Sequence, residues 1–390
     1  MGSSLKGWEW KRLGDLVTYK KGRKPDVLCD QKTQGSLPYL TAGYFRTNTP
    51  EQFVPEESLS NCVLCDSSDI ILIWDGSKAG DVFTGLRGVL SSTMIKIDPN
   101  EKQLVKVFCF FFLKTRFHTL NSRTTGSSIP HISRSIFEDL KIFQLPIETQ
   151  RRMASILEKA EEIKRLGSQA SALATQFIQS LFFEMFGDPG KNPKGWRSEQ
   201  LDSVCTKVTD GEHNTPSIIE AGTALLRAKN VRDGYLDLTE ISHISEENHQ
   251  KCKRRCNPEE GDILLVCVGA TIGRVAIVPK MGEFSLVRSV ALLKPNYDKT
   301  TSQYLFWCLK TNAIQSRLLA SRNITARAGL YLDKLKKVKL PLPSLLLQKR
   351  FTRIAESIEA LRQKQMQSQK EANTLFNALI QKAFRGGLTS

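Results

Sequence analysis

The 390-residue sequence is long enough to form two or more domains, each with its own hydrophobic core. It has 56 lysines and arginines against 40 aspartates and glutamates, a formal net charge of +16. This excess favours a polyanionic partner such as nucleic acid, although a basic protein without such a partner has the same composition. No apolar run approaches the roughly 20 residues of a membrane span, and the first residues lack an apolar signal segment. Nine cysteines in no regular framework indicate reduced thiols and a cytoplasmic protein.

The first domain is predicted to occupy residues 1–148 and to combine short buried strands with a few helices. Its apolar runs Ile70–Trp74 and Ser92–Ile97 have the length and composition of strands. Pro146 lies where this domain ends and a long helical pattern begins, a position at which proline is tolerated.

A long central helix is predicted from residue 149 to residue 187. Apolar or small side chains recur along it in alternating steps of four and three, which is typical of a coiled-coil seam. The residues of this helix that we expect to pair with a second helix are Ile156, Ala160, Ile163, Phe177 and Leu181.

The second domain, predicted for residues 188–346, repeats the order of the first. Asp69-Ile70 recurs 193 residues later as Asp262-Ile263, which begins another short apolar run. The turn Gly269–Gly273 separates this run from a second one, and the pair is typical of two antiparallel strands. Both domains are therefore predicted to be α+β, with mostly antiparallel sheet and a few helices.

The C-terminal residues 347–390 repeat the central helix, because each seam position lies 198 residues after its counterpart. Two such helices in one chain most simply pair with each other as an antiparallel coiled coil. The pairing tested on the sequence sets Leu379 opposite Ile156 and Ile358 opposite Phe177, although other registers remain open. The residues of the C-terminal helix expected in the pairing are Ile354, Ile358, Leu361, Leu375 and Leu379.

Each domain also has basic or glycine-containing loops of a kind that can enter a DNA groove. Arginine and lysine bind guanine edges or phosphates, and asparagine prefers adenine, but a solvated loop is about as common for any single residue. The candidate DNA-binding residues of the first domain are Lys20, Lys21, Arg23, Lys24, Ser77, Lys78, Thr125, Gly126, Ser127 and His131. Those of the second domain are His213, Arg227, Lys229, Asn230, Thr271, Arg274, Arg322 and Arg327.

The sequence predicts no metal site, no cofactor and no catalytic residue. Cys62 and Cys65 have a ligand-like spacing but lack a second pair nearby. A looser group consists of His243, His249, Cys252 and Cys256. Four neighbouring cations oppose the binding of a divalent ion there. The turn Gly269–Gly273 lies between strands and does not end in Lys-Ser or Lys-Thr, so it does not resemble a phosphate-binding loop.

Taken together, the duplicated domains and helices resemble the specificity subunit of type I restriction–modification systems over essentially the whole chain. Local motifs support the resemblance: Gly7-Trp8 and Gly195-Trp196 near the domain starts, and the segments Gly126–Ile132, Thr209–Pro216 and Gly261–Ala276. The first domain departs from the pattern, with Ser68 in place of a glycine and no Asp-Gly-x-His stretch. The two domains are therefore expected to read different DNA.

The resemblance implies a subunit without chemistry of its own that binds double-stranded DNA. Each target-recognition domain would read one half of a bipartite asymmetric site, and the paired helices would set the spacer between the halves. The implied protein partners are two methyltransferase subunits and, in the full complex, a restriction and translocase subunit. No membrane partner is implied. The alternative is a stand-alone DNA-binding or architectural protein that uses the same duplicated domains.

Overall fold

The computed structural model describes residues 9–122, 130–320 and 329–385, with side chains as far as residue 378. The chain forms two compact units. One comprises Met1–Ser168 with Gln367–Ser390, and the other comprises Gln169–Met366. Each unit therefore contains one α+β domain together with part of both long helices.

The first domain begins with short strands and continues into helices. Its elements in chain order are β1 (Trp10–Arg12), β2 (Val17–Lys21), β3 (Leu37–Leu40), α1 (Ala42–Thr47), β4 (Phe53–Val54), β5 (Leu64–Cys65), β6 (Ile70–Ile73), β7 (Val82–Phe83), β8 (Gly88–Leu90), β9 (Met94–Pro99), α2 (Lys106–Thr115), α3 (Phe117–Asn121), α4 (Arg134–Glu138) and β10 (Lys141–Phe143). The first long helix, α5 (Ile147–Phe186), follows directly. It begins just after Pro146 because proline is readily accommodated at a helix start.

Strands of the first domain form three sheets. One has the order β2-β9-β6-β7 with antiparallel neighbours, the second has the order β4-β3-β8-β5, and β1 pairs with β10. Strand β6 is buried at every residue, which explains why its sequence is a continuous apolar run rather than an alternating one. Only β3 and β8 run parallel among these pairs.

The second domain repeats this arrangement after α5. Its elements are β11 (Arg197–Gln200), α6 (Leu201–Val204), β12 (Cys205–Asp210), β13 (Thr223–Leu226), β14 (Ser242–Ile244), α7 (Glu246–Arg255), β15 (Ile263–Val266), β16 (Val275–Ile277), β17 (Phe284–Leu286), β18 (Val290–Pro295), α8 (Ser302–Lys310), α9 (Asn312–Ala320), α10 (Leu332–Lys336) and β19 (Lys339–Leu342). The second long helix, α11 (Leu345–Arg385), ends the described chain.

The sheets of the second domain follow the same order as those of the first, except that its second sheet has three strands, without a counterpart of β5. Their orders are β12-β18-β15-β16, β14-β13-β17 and β11-β19, and the parallel pair is β13 with β17. The predicted α+β class with mostly antiparallel sheet is therefore confirmed, and so is the internal duplication.

A buried aspartate immediately precedes β6 in the first domain and β15 in the second. Asp69 accepts a hydrogen bond from the backbone N–H three residues earlier and forms ion pairs with Lys96 and Lys106 at 2.7 and 2.9 Å. Burial acts to raise the pKa of Asp69, but these bonds outweigh it and hold the pKa at about 2. Asp262 has one lysine partner, Lys294 at 2.8 Å, and there burial prevails and raises its pKa. The same position is thus more strongly stabilised in its charged form in the first domain.

A buried glutamine secures the start of each long helix to its domain. Gln150 donates to the carbonyls of Gln103 and Leu145 at 2.9 and 2.8 Å. Gln348 donates to the carbonyls of Lys299 and Pro343 and accepts from the N–H of Thr301, at 3.0, 2.9 and 3.1 Å. Because both amides are buried, their loss leaves carbonyl groups without partners.

The hydrophobic core of each domain extends into both long helices. In the first unit, the core includes Met153 and Leu157 of α5, and Phe376 of α11 packs on Phe111 of α2 with ring centroids 6.1 Å apart. In the second unit, Phe182 of α5 and Phe351 of α11 share the core, with centroids 5.6 Å apart. The long helices are therefore structural parts of both domains.

Helices α5 and α11 run antiparallel, as expected. Gln369 donates to the carbonyl of Lys164 and to Ser168, at 2.9 and 3.2 Å, whereas further along α5 Phe182 meets Phe351. No helix in the described part of the chain is long and apolar enough to cross a bilayer.

The buried seam between the helices differs from the expected one at five of the nine predicted positions whose side chains are described. Large apolar residues expected in it are exposed, namely Ile156, Ile163, Phe177, Leu361 and Leu375. Ala160, Leu181, Ile354 and Ile358 are half-buried as a seam requires, and the side chain of Leu379 lies outside the described residues. At the exposed positions the neighbour one residue later is generally more buried: Leu157, Ile178, Arg362 and Phe376. The domain cores explain why the buried face of α5 is not the predicted one. They bury Leu157 and Ile178, so the predicted residues beside them face outwards.

Candidate nucleic-acid interface

In each domain, loops emerge at one end of the strands of a four-stranded sheet, β2-β9-β6-β7 in the first domain and β12-β18-β15-β16 in the second, and we call this end the loop edge. In the first domain, β2 ends at Lys21 and β6 ends at Ile73, while β9 begins beside them at Met94. In the second domain, Asp210, Val266 and Val290 occupy the corresponding places in β12, β15 and β18. Because the strands are antiparallel, the loops after β2 and β6 emerge from the same edge.

Three segments of the first domain meet at its loop edge. Lys21 forms an ion pair with Asp75 at 2.8 Å, and Asp75 forms a β-bridge with His131. The N–H of Gly76 donates to the carbonyl of Pro130 at 2.7 Å. Asn121 donates to the carbonyl of Ala79 at 2.9 Å and so fixes the loop after β6 from the other side. The structure thus brings the predicted basic stretch, the loop after β6 and His131 together.

A glycine fixes the backbone at the equivalent point of both loop edges. The N–H of Gly22 donates to the carbonyl of Met94, and that of Gly211 donates to Val290, at 3.0 and 3.2 Å. A Cβ at Gly22 would lie 2.2 Å from the carbonyl oxygen of Ser91, and one at Gly211 would lie 2.2 Å from the carbonyl of Leu286. These distances are too short for any side chain, so both backbones pass the neighbouring strand in the same way.

The residues flanking these two glycines differ in charge. The first domain presents a basic sequence there, and the second presents a mainly acidic one. The aligned residues are Lys20, Lys21, Arg23 and Lys24 in the first domain, and Thr209, Asp210, Glu212 and His213 in the second. The same backbone position therefore carries side chains of different charge in the two domains.

In the second domain, a cation from α7 compensates for the acidic residues. The Nη2 atom of Arg255, the last residue of α7, donates to Oδ1 of Asp210 at 2.5 Å and to Nε2 of His213 at 2.8 Å. The Nε2 atom of His213 also lies 3.3 Å from Asp210. An exposed second cation, Arg288, lies next to this group, since its N–H donates to the carbonyl of Glu212 at 3.0 Å.

Comparison with known proteins places this architecture in a family. The model for the type I restriction modification DNA specificity domain matches residues 5–171 and 193–373. The chain belongs to the type I restriction–modification DNA specificity family. It is a specificity subunit with two DNA-recognition domains, and it contributes recognition rather than catalysis.

Individual relatives of the specificity subunit cover nearly its whole length. The chain is 28% identical to the type I restriction enzyme MjaVIII specificity subunit of Methanocaldococcus jannaschii, over 96% of this chain and 92% of the relative. It is 25% identical to the EcoBI specificity subunit of Escherichia coli, over 83% of this chain and 74% of that one. The crystal structure of the type I S subunit from M. genitalium has the same fold, with a TM-score of 0.63 and 14% identity over 98% of both chains.

Not all residues predicted to bind DNA are brought to the loop edges. Lys20, Arg23, Lys24, Ser77 and Lys78 are exposed there. Thr271 and Arg274 lie in or beside the loop that follows β15, and both are half-buried. Thr125, Gly126, Ser127, Arg322 and Arg327 lie outside the described residues. For all of these residues of the specificity subunit, DNA contact stays a prediction.

The prediction for Asn230 is wrong, because the fold uses its whole amide. The side chain is 3% exposed, accepts from the N–H of Arg227 and donates to the carbonyls of Asp237 and Glu240, each at 3.0 Å. Arg227 is half-buried, and Lys229 forms an exposed ion pair with Glu240 at 3.0 Å. The amide of Asn230 therefore stabilises its own loop and is not available to form hydrogen bonds with adenine.

Three members of the histidine and cysteine group are buried, namely His249, Cys252 and Cys256, whereas His243 of β14 is half-buried. His249 is buried, with Nδ1 2.9 Å from Ser285 and Nε2 3.0 Å from Glu283. Burial raises the pKa of the Cys256 thiol to about 12, and it raises the pKa of Cys252 as well. No group of three or more metal-ligating side chains occurs within the described ranges.

Sequence reasoning did not identify Arg255 or Arg288 as candidates for DNA binding. Arg255 stood in a run of cations at the end of α7, which has the appearance of a solvated helix terminus. The signal that could have found Arg288 is the duplication itself. Aligning the glycines at 22 and 211 and the strands β9 and β18 places Arg288 opposite Ser92, at a loop edge.

Proposed function

We propose that this specificity subunit binds double-stranded DNA through the loop edges of its two domains, each edge reading one half of a bipartite, asymmetric site. The observation that carries the proposal is the repeated loop edge, on which one backbone presents two sets of side chains. Loops of this kind bear arginine, lysine, serine and threonine, which contact phosphates and base edges. We also propose that the protein works in the cytoplasm, where bacterial and archaeal DNA is found.

Different side chains at equivalent positions support an asymmetric site. The first domain offers donors alone at Lys20, Lys21, Arg23 and Lys24. The second offers acceptors as well, because Glu212 stands where the first has Arg23. Base pairs are distinguished by their donors and acceptors in the major groove, so two such edges select different sequences.

The paired helices are proposed to set the number of base pairs between the half-sites. Helix α5 has 40 residues and α11 has 41, so each is about 60 Å long at 1.5 Å per residue. Both take part in the cores of the domains, and a change in helix length therefore acts on a rigid element rather than on a loop.

The exposed apolar residues of the long helices support docking of other subunits. Ile163 and Leu166 in the first unit, and Leu173 and Phe177 in the second, each have at least half of the side chain exposed. Surface patches of this kind commonly mark protein interfaces. A solved chain with the same fold, at a TM-score of 0.52 and 21% identity over both full chains, bears a title on complex assembly of the type I restriction–modification system. We propose that two methyltransferase subunits dock on this chain and that a restriction and translocase subunit joins the full complex.

A domain exchange tests recognition. Replacing Gly195–Leu342 with the equivalent domain of a relative should change one half-site and leave the other half-site and the gap intact. The site is read by sequencing DNA selected from a randomised pool, or by mapping methylated bases in cells. A change in both halves after this exchange contradicts the assignment of one domain to one half-site.

A paired insertion tests the spacer. Seven residues added to α5 after Ser168, and seven added to α11 after Met366, preserve the seven-residue repeat and lengthen each helix by about 10 Å. The gap should grow by about three base pairs, at about 3.4 Å each, while both half-sites stay the same. An unchanged gap argues against the helices as the spacer.

Charged substitutions on the exposed helix face test docking. Leu173→Glu with Phe177→Glu should prevent co-purification with the methyltransferase subunit encoded beside this chain, while the chain itself stays folded. Ile218→Glu, an equally exposed apolar residue in a loop of the second domain, is the matched control and should leave the complex intact. Failure of the unaltered chain to bind any methyltransferase favours the stand-alone alternative, which the family match does not favour.

A further inference from the structure

Arg255 is held in place at both its backbone and its side chain. Its carbonyl accepts a hydrogen bond from Lys207 of β12 at 2.8 Å, and its Nη2 is bound by Asp210 and His213. The helix that carries it is fixed in turn, since His249, earlier in α7, forms a hydrogen bond with Ser285 of β17. The guanidinium is therefore preorganised at the loop edge of the second domain.

The arrangement leaves further donors of this side chain available. Among the described residues, the hydrogen bonds of the guanidinium use Nη2 only, and the side chain is 40% exposed. Because Nε2 of His213 accepts from Arg255, a neutral imidazole carries its hydrogen on Nδ1, and this ring is 51% exposed. The group thus directs donors towards solvent, and its counterpart on DNA must supply acceptors.

Charge balance favours a base edge over a phosphate as that counterpart. Asp210 is only 15% exposed and already neutralises Arg255, so the pair adds little net attraction for the DNA backbone. Neutralisation leaves the directional hydrogen bonds of the guanidinium intact. Guanine presents two adjacent acceptors, O6 and N7, in the major groove, and arginine matches them with two parallel donors.

Among its described residues, the first domain has no equivalent of this group. Its loop edge places Lys21 on the strand and Asp75 on the loop after β6, and a short turn at Glu56–Ser58 stands between β4 and β5, where the second domain has α7. A contact made by Arg255 is therefore specific to one half-site.

We propose that Arg255 reads a guanine in the half-site bound by the second domain and that Asp210 is the positioning residue for its guanidinium. The inference rests on the proposed function, in that it assumes that the second domain contacts DNA bases. It names the base, the reading residue and the residue that orients it.

The test compares Arg255 with its neighbour Arg254, which is exposed and carries the same charge. Full-length chains bearing Arg255→Ala, Arg255→Lys, Asp210→Asn or Arg254→Ala are purified with their methyltransferase subunit. DNA is selected from a randomised pool, and binding of matched and mismatched sites is measured over a range of salt concentrations. Thermal unfolding of each variant verifies that the second domain is folded.

Arg255→Ala should reduce discrimination at one G·C pair of one half-site by about ten- to a hundred-fold, with the other half-site unchanged. Arg255→Lys retains the charge but not the two parallel donors, and it should lose discrimination at the same pair. If the alanine variant does not fold, the lysine variant alone tests whether Arg255 reads the guanine. Asp210→Asn should weaken discrimination at that pair, and because it leaves Arg255 without its neutralising carboxylate it should raise the salt dependence rather than lower it. Arg254→Ala should leave the consensus sequence unchanged.

Two outcomes overturn the inference. In the first, Arg255 variants bind all sequences more weakly by the same factor and the slope of log affinity against log salt decreases by about one, which identifies a phosphate contact. In the second, the consensus is unchanged and only the unfolding temperature falls, which identifies a structural role. Failure of the proposed function is distinguishable from both, because the unaltered chain then yields no bipartite consensus at all.

Discussion

The buried ion pairs of Asp69 provide a quantitative test of how the first domain is held together. Asp69→Asn removes the charge that Lys96 and Lys106 share, while Asp66→Asn removes the same charge from an exposed position three residues away. The fold lowers the pKa of Asp69 from 3.8 to about 2, against the opposing effect of burial. Since one pKa unit corresponds to about 1.4 kcal/mol, the charged form contributes about 2 kcal/mol to stability at pH 7.

The sign of the pH dependence follows from the depressed pKa. The contribution of Asp69 is fully present above its unfolded pKa and is lost as the pH falls through the folded value of about 2. The penalty of Asp69→Asn should therefore be about 2 kcal/mol at pH 7 and about 1 kcal/mol at pH 3. Asp66→Asn should cost less than about 0.5 kcal/mol at both values.

Hydrogen exchange measured by mass spectrometry assigns the effect to its domain. The free energies of opening for amides in β6 and β9 should fall in Asp69→Asn, and those in β15 and β18 of the second domain should not. The reasoning is refuted if the two variants differ by less than 0.5 kcal/mol at pH 7, or if the penalty of Asp69→Asn is the same at both pH values.

Three further substitutions probe the second domain by urea unfolding. Gly211→Ala should cost more than about 2 kcal/mol because its Cβ would overlap the carbonyl of the adjacent strand, whereas Gly282→Ala, which has open space, should cost less than about 1 kcal/mol. His249→Ala should cost about 2–3 kcal/mol, since it leaves two polar partners and a cavity; a loss below 1 kcal/mol would mean that water replaces the ring. Gln348→Met should cost about 2–4 kcal/mol by leaving two carbonyls unpaired, and the exposed Gln176→Met serves as its control; equal effects would contradict the anchoring role.

The repeated architecture was accessible from sequence because duplication makes a weak pattern visible twice. Strand β6 alone is a four-residue apolar run, but its recurrence 193 residues later as β15, in the same order of elements, identifies both as equivalent strands. Helix periodicity over 40 residues is likewise a strong signal, because few other structures sustain it. The α+β domains and the antiparallel long helices followed from these two signals.

The finer assignments depended on tertiary contacts that periodicity does not encode. On α5, Phe177 and Ile178 are both large and apolar, and the core of the second unit buries Ile178. Asn230 and Arg255 show the same limit for polar residues. The folding of its own loop buries Asn230, and a partner 45 residues away places Arg255 at the loop edge. Sequence indicates which residues can recognise DNA, and the fold decides which of them are available.

The division of the chain between its two units has a consequence for biosynthesis. Every residue of the second unit, Gln169–Met366, precedes the segment Gln367–Ser390 that completes the first. On the ribosome the second domain can thus finish folding before the first. In the first domain, Phe111 lacks its contact with Phe376 until that residue has been synthesised. Nonsense codons between positions 367 and 376 should accordingly destabilise the first domain while the second domain folds normally.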